Sequence, residues 1–171
     1  MIIDLSDIIK DYGGRMNVSA SIEMDDTEFL GESFKFQKPL KVEGAIINNT
    51  KSLELSAKAE GEMQVHCARC SKPFNVPVKF RIHEILVREG SDSADDETVV
   101  FSGEKLDISD IIMNSFLMSV SGKYLCSEDC KGLCPKCGAD LNDGDCGCDK
   151  DEIDPRWADL QKIMKNMTDT K

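Results

Sequence analysis

No stretch of this chain approaches the 18 or more consecutive apolar residues of a membrane-spanning helix, although apolar residues make up 40% of it. No membrane contact is therefore expected. The opening MIIDLSDIIKDYGG lacks a basic leader and a small-residue cleavage site, and Asp4 and Asp7 interrupt its apolar run, so a secretory signal is not expected either. Both absences point to a soluble, cytoplasmic protein. Basic residues are in deficit, with 21 Lys and Arg against 32 Asp and Glu, a formal charge of −11. That balance excludes a broad electrostatic grip on phosphates, which needs a basic surface; any nucleic-acid contact must be local. Catalytic patterns are also missing: there is no nucleophile triad, phosphate loop or dinucleotide fingerprint. Of the two histidines, His66 and His83, His83-Glu84 has the wrong spacing for the H-x-E of a zinc deaminase, and Cys134-Pro135 the wrong order for its P-C. Asp95, Asp96 and Glu97 read as solvated loop charges. The chain reads as non-enzymatic.

What is present is cysteine. Six of the eight thiols fall within CSEDCKGLCPKCGADLNDGDCGC, from Cys126 to Cys148, and the other two are Cys67 and Cys70. In a reducing cytoplasm structural disulfides are rare, so the pattern reads as metal ligation. Cys134-Pro135-Lys136-Cys137-Gly138 has the form of a zinc knuckle, with two thiols converging on one ion and a glycine letting the backbone turn beneath them. Cys146 and Cys148 follow after a gap containing the turn formers Asn142, Asp143 and Gly144, and complete a local set of four. Cys67-Ala68-Arg69-Cys70 is a second knuckle with nothing nearby to finish its tetrahedron. Cys126 and Cys130, spaced for one helical turn, are left to do so. Two structural zinc ions are thus expected, one on Cys67, Cys70, Cys126 and Cys130, the other on Cys134, Cys137, Cys146 and Cys148. The alternative partition places both C-x-x-C knuckles on one ion and Cys126, Cys130, Cys146 and Cys148 on the other. Eight thiolates and two divalent ions add a net −4, taking the chain to about −15.

At 171 residues the chain can bury roughly two-thirds of its unfolded surface. Residues 16 to 24 alternate apolar and polar, as a half-buried strand does. Shorter runs surround Phe34 and Phe36 and cover Leu40 to Ile47. The longest alternation places Leu53, Leu55, Ala57, Ala59, Met63 and Val65 on one face, with Gly61 expected at a bulge or bend. It resumes after CARCSKP with Phe74, Val76, Val78, Phe80 and Ile82, so a hairpin with a cysteine pair at its tip is expected, Pro77 marking an edge or bulge. Residues 89 to 98 read as a mobile acidic loop, Val99 to Phe101 as a brief return to the sheet. Asp107 is placed to cap a helix with Ile108, Ile111, Ile112 and Ser115 on one face. Asp154-Pro155 opens a last helix with a stripe of Trp157, Leu160, Ile163, Met164 and Met167. The expected fold is α+β: a largely antiparallel sheet of about five or six strands with an internal helix in residues 1–125, a Cys-rich zinc module at 126–150 packed on the 67–74 hairpin tip, and a C-terminal helix at 151–171.

One island is basic. Between Val65 and Arg88, Arg69, Lys72, Lys79, Arg81 and Arg88 face a single acid, Glu84. Pairing Cys67 with Phe74 would set Lys79 opposite Glu62 and Arg81 opposite Glu60, as ordinary cross-strand charge pairs. Arg69 and Lys72, at the knuckle, have no acidic neighbour in this reading and are the better candidates, ahead of Lys79 and Arg81, for contacting a partner or RNA.

Taken together, CARCSKPF after an alternating strand, CSEDCKGLCPKCGADLN with CGC behind it, and DPRWADL at the last helix resemble the bacterial YceD family, described as large ribosomal RNA subunit accumulation proteins. The resemblance runs from about Leu40 onward. It implies a role in accumulation or processing of large-subunit ribosomal RNA during ribosome assembly; the acidic charge then favours action through a ribosomal protein or pre-ribosomal particle, or through a local rRNA contact. It transfers no catalytic residues. A zinc-dependent interaction adaptor and a thiol-based redox sensor are the alternatives outside RNA biology.

Overall fold

The computed structural model describes residues 1–91 and 94–148; the expected C-terminal helix and its Trp157 stripe lie outside the described residues. Nine strands and two helices follow in the order β1 (Ile2–Asp4), α1 (Ser6–Lys10), β2 (Arg15–Ile22), β3 (Thr27–Phe29), β4 (Glu32–Phe36), β5 (Leu40–Asn48), β6 (Leu53–His66), β7 (Pro73–Arg88), β8 (Val99–Phe101), β9 (Lys105–Asp107) and α2 (Ser109–Ser119). Among the described residues the fold is a mostly antiparallel sheet with two helices. Seven strands form the main sheet, and β1 pairs with β9 in a separate two-stranded ribbon.

The long strand β6 organises the sheet. Along one edge it pairs with β7 over its whole length, from Leu53↔Leu86 to His66↔Pro73. Its other edge is shared: β5 covers Leu53 to Glu60, and β4 takes over at Met63 and Gln64. Gly61 sits at this hand-over. The register with β7 runs through Gly61↔Val78 unbroken, so the expected bulge is absent. Glycine there instead leaves room for Leu40: a Cβ would lie 2.3 Å from Leu40 Cδ2, so that side chain would have to shift. Pro77 lies in the part of β7 whose far edge has no strand partner among the described residues, since β8 reaches only Leu86 to Arg88, and its missing N–H breaks no ladder bond there. β8 runs parallel to β7, the one parallel pair among the described residues. A parallel return normally needs a crossover of a dozen or more residues; the acidic loop suffices because β8 is only three residues long.

The period-two patterning gives the sheet one buried face and one solvated face. Val42, Ile46, Leu55, Ala59, Val65, Phe80, Ile82 and Leu86 point inward. α2 closes this face with Ile108, Ile111 and Ile112, as expected, and with Phe116, fully buried at 0% exposure. The Phe116 ring meets Phe34, Phe36 and Phe80 at centroid distances of 5.5, 5.0 and 5.9 Å, edge-on or tilted as aromatic quadrupoles prefer. Asp107 binds the start of α2 one residue earlier than a standard cap, its Oδ1 accepting from Ser109 N at 3.0 Å. At the other end of the core, buried Asn48 donates to the Ile8 and Ile9 carbonyls and ties α1 to β5.

Candidate metal centres

The tip of the β6–β7 hairpin is the loop Cys67–Lys72, closed by Cys67 N donating to Lys72 O at 3.0 Å and Ser71 N to Cys67 O at 2.8 Å. The same knuckle recurs at Cys134–Gly138, where Gly138 N donates to Cys134 O at 2.8 Å. In both, the residue after the second cysteine takes a left-handed conformation, φ +73° at Gly138 and +58° at Ser71. This turns the chain back while its N–H groups stay aimed at the first sulfur. Cys126 and Cys130, whose spacing is compatible with a helical turn, lie on a tight turn, where Cys130 N bonds Ser127 O at 3.1 Å.

These loops gather the thiols into two quartets, Cys67, Cys70, Cys126 and Cys130 in one and Cys134, Cys137, Cys146 and Cys148 in the other, the sulfurs of each lying within 4.8 Å of one another. The partition is the local one, not the alternative that joins the two knuckles. All eight cysteines are free thiols. In the first quartet Cys67 Sγ is 3.7 Å from Cys130 Sγ, and Cys70 Sγ is 3.7 Å from Cys126 Sγ. A tetrahedron with metal–sulfur bonds near 2.3 Å has edges of about 3.8 Å, so this spacing fits a four-thiolate zinc site. It is far longer than the roughly 2.05 Å of a disulfide.

The electrostatics of each quartet are polarised. Burial pushes the Cys67 thiol up, but the N–H groups of Cys126, Arg69 and Cys70 outweigh it and bring the pKa down to about 6. Burial, then the sulfurs of Cys130, Cys67 and Cys70, push Cys126 up to about 12. In the second quartet the N–H groups of Cys137 and Lys136 pull Cys134 down to about 6. Cys148 is driven up to about 12 by the Cys137 and Cys146 sulfurs, with burial adding to it. Backbone donors aimed at one sulfur thus prepare a thiolate in each set.

The first quartet is the more enclosed: Cys67, Cys70 and Cys130 are buried against Phe74. Its two halves are held together by more than the thiols. Leu133 N donates to Arg69 O, Ala68 N to Tyr124 O, and the Arg69 guanidinium reaches the carbonyls of Glu128 and Cys130 at 3.2 and 2.7 Å. Gly132, at φ +74°, lets the segment approach, since a Cβ would lie 2.9 Å from Arg69 O. Lys72 Nζ meets Asp140 Oδ2 at 2.7 Å and Asp143 at 3.6 Å, which raises the Lys72 pKa and lowers that of Asp140. Asn142 ties the loop between Cys137 and Cys146 to the first quartet: its side chain accepts from Lys131 N, and donates to Cys130 Sγ and to Asp140. The sequence marked Asn142 only as a turn former.

The premise that Arg69 and Lys72 lack neighbours therefore does not hold, because the Cys-rich segment brings carbonyls and carboxylates to the tip. The register of the other two basic residues also differs. The hairpin closes at His66↔Pro73, which sets Lys79 opposite Glu60, 3.4 Å from its carboxylate, and Arg81 opposite Lys58. Like charges, not opposite ones, face each other at Arg81.

Residues 55–164 match the family described as "Large ribosomal RNA subunit accumulation protein YceD", a span that contains both knuckles and both quartets. A Mycobacterium tuberculosis protein is 31% identical over 134 residues, 75% of this chain and 59% of that protein. The Bacillus subtilis protein YlbN is 27% identical over 156 residues, 85% of this chain and 89% of its own length. An Arabidopsis thaliana protein named "Large ribosomal RNA subunit accumulation protein YCED homolog 1, chloroplastic" is 23% identical over 159 residues, 75% of this chain and 50% of that protein. The chain thus spans 59% of the length of its mycobacterial relatives, and no solved structure matches it. On the match over most of its length, the chain belongs to the YceD family.

Proposed function

We propose that this chain supports accumulation of large-subunit ribosomal RNA as a non-catalytic factor, with two structural zinc ions holding its Cys-rich segment to the β6–β7 tip. The family match over residues 55–164 carries the reading; the chloroplastic relative's name agrees with it. The two saturated quartets support a structural metal, since a catalytic zinc generally keeps a position open for water. When bound, zinc would supply cross-links between segments and no chemistry on a substrate. Cys67, Cys70, Cys126 and Cys130 would hold one ion, and Cys134, Cys137, Cys146 and Cys148 the other.

A ribosomal protein, a pre-ribosomal particle or a local stretch of rRNA would be the partner. Of the four contact candidates, Arg69 and Lys72 are engaged in the clasp and Lys79 with Glu60. Arg81 is the member with no hydrogen bond or ion pair among the described residues. Depleting the protein and profiling ribosomal particles on gradients tests the function: large subunits should fall relative to small ones. Normal large-subunit levels under growth stress would favour the adaptor reading instead. Metal analysis should find two zincs per chain, and Cys137→Ser should remove one while the first quartet keeps its own.

A further inference from the structure

The solvated face of the main sheet is not evenly charged. Across β5, β6 and β7 its outward residues form rows: Lys41, Glu60 and Lys79, then Glu43, Lys58 and Arg81, then Ala45, Ser56 and His83. The first two rows carry four cations against two carboxylates in a chain of net −11. Glu60 is engaged by Lys79. Lys41, Lys58 and Arg81 have no hydrogen bond or ion pair among the described residues, and all three line a cleft of about 940 Å³. Glu43, beside Lys58, is the remaining carboxylate of the cleft. Its floor is small: Ser56 and Ala57, and Gly44, where a Cβ would lie 2.3 Å from Ser56 O and so could not be accommodated.

Lys58 directly opposite Arg81 is a costly arrangement, because like charges facing each other across an antiparallel pair destabilise it. An anion seated between them removes that cost. Direct and diagonal neighbours on a sheet face lie about 5–8 Å apart, a span that matches neighbouring phosphates along an extended strand. The outward residues of β2, β5, β6 and β7 include no Phe, Tyr or Trp, so there is no platform for stacking bases. What the cleft offers is charge along a concave track.

We propose that this cleft binds the phosphodiester backbone of single-stranded RNA through Lys41, Lys58 and Arg81, without reading sequence. It rests on the ribosomal-RNA reading above and adds the surface by which the chain touches RNA. The acidic remainder of the molecule repels phosphates and confines them to this one face.

The test uses the zinc-loaded full chain and a fluorescein-labelled oligouridylate of about 12 nucleotides. Fluorescence anisotropy should show binding whose log K falls with log salt at a slope of roughly −2, about 20-fold weaker at 200 than at 50 mM, as three phosphate contacts on a single strand require. K41Q, K58Q and R81Q should each flatten the slope by about 0.7. K58Q should do so with an unchanged or raised melting temperature, since it also relieves the like-charge pair, and K105Q, outside the cleft, should change neither. An unaltered slope in the triple variant overturns the proposal. So does binding of polyglutamate that oligouridylate cannot displace, which would assign the cleft to an acidic protein. If depletion lowers large subunits while the triple variant still binds RNA as wild type does, the cleft is wrong and the ribosomal reading stands.

Discussion

Ser71 carries a conformational load that Gly138, its counterpart in the second knuckle, does not. A left-handed conformation costs a residue with a Cβ about 1–2 kcal/mol, and Ser71 holds φ +58°. Ser71→Gly should therefore stabilise the protein by about 0.5–1 kcal/mol after the added chain entropy of glycine is subtracted, raising Tm by roughly 1–4 °C in calorimetry. The thiols predict a second outcome. Zinc binds thiolates, so groups still protonated in the metal-free protein must release protons on binding. Cys126 and Cys148, both near 12, and Cys70, raised as burial and neighbouring sulfurs overcome the Lys72 N–H, are protonated at neutral pH; Cys67 and Cys134, near 6, are largely ionised. Affinity should rise with pH across the neutral range. Calorimetric titration in buffers of different ionisation enthalpy should show proton release at both sites. Eight thiols and their spacing were enough to narrow the quartets to two partitions, because C-x-x-C knuckles are local; which pairs share a cluster shows only when the chain returns to the tip. Asn142, Asp140 and Gly132 were not foreseeable as parts of the site, since their roles arise only once two segments distant in sequence touch.

At the scale of elements, the docking of the Cys-rich segment onto the hairpin depends on close backbone approach. Gly132→Ala would put a Cβ 2.9 Å from Arg69 O at a φ of +74°, a strain of about 1–3 kcal/mol. The expected result is faster zinc loss from the first quartet under chelator competition, with the second quartet little changed. The sheet's long strands were legible because their alternation extends over many residues, and β5, β6 and β7 lie where the pattern put them. Their register was not. The tip loop is residues 67–72, shifted by one toward the N-terminus from the 68–73 of a hairpin closed at Cys67 and Phe74, and that shift exchanged Glu60 for Lys58 opposite Arg81. β1, β3 and β9 are three residues each, too short to show a period. β1 and β9 exist only because distant partners meet, Ile3 with Leu106. Phe116 escaped notice for a related reason: the helical stripe was read through its isoleucines, while the aromatic ring that fills the core sits at the far end.

For the whole molecule, the division of labour between core and metal sets the response to metal removal. The apolar cluster between the sheet and α2 is built without any cysteine, whereas residues 126–148 contribute few buried apolar groups beyond their thiols. Stripping zinc with a chelator should therefore speed amide exchange in residues 126–148 and at the 67–72 tip while β5, β6 and β7 keep their protection. Loss of protection throughout the sheet would mean that the ions are integral to the core.

The two quartets also differ in how much chain they enclose. Cys67 and Cys130 are 63 residues apart, Cys70 and Cys126 are 56, while the second quartet lies wholly within 134 to 148. Closing a loop near 60 residues removes about 4 kcal/mol of unfolded-chain entropy by the cross-link formula, against about 3 for a loop of 15. During synthesis the second set can take its ion as soon as Cys148 has left the ribosome, independently of the sheet. The first set becomes complete only when the chain returns Cys126 and Cys130 to the hairpin tip. If both quartets take zinc, a nascent chain able to hold one ion would be distinguishable from a longer one able to hold two.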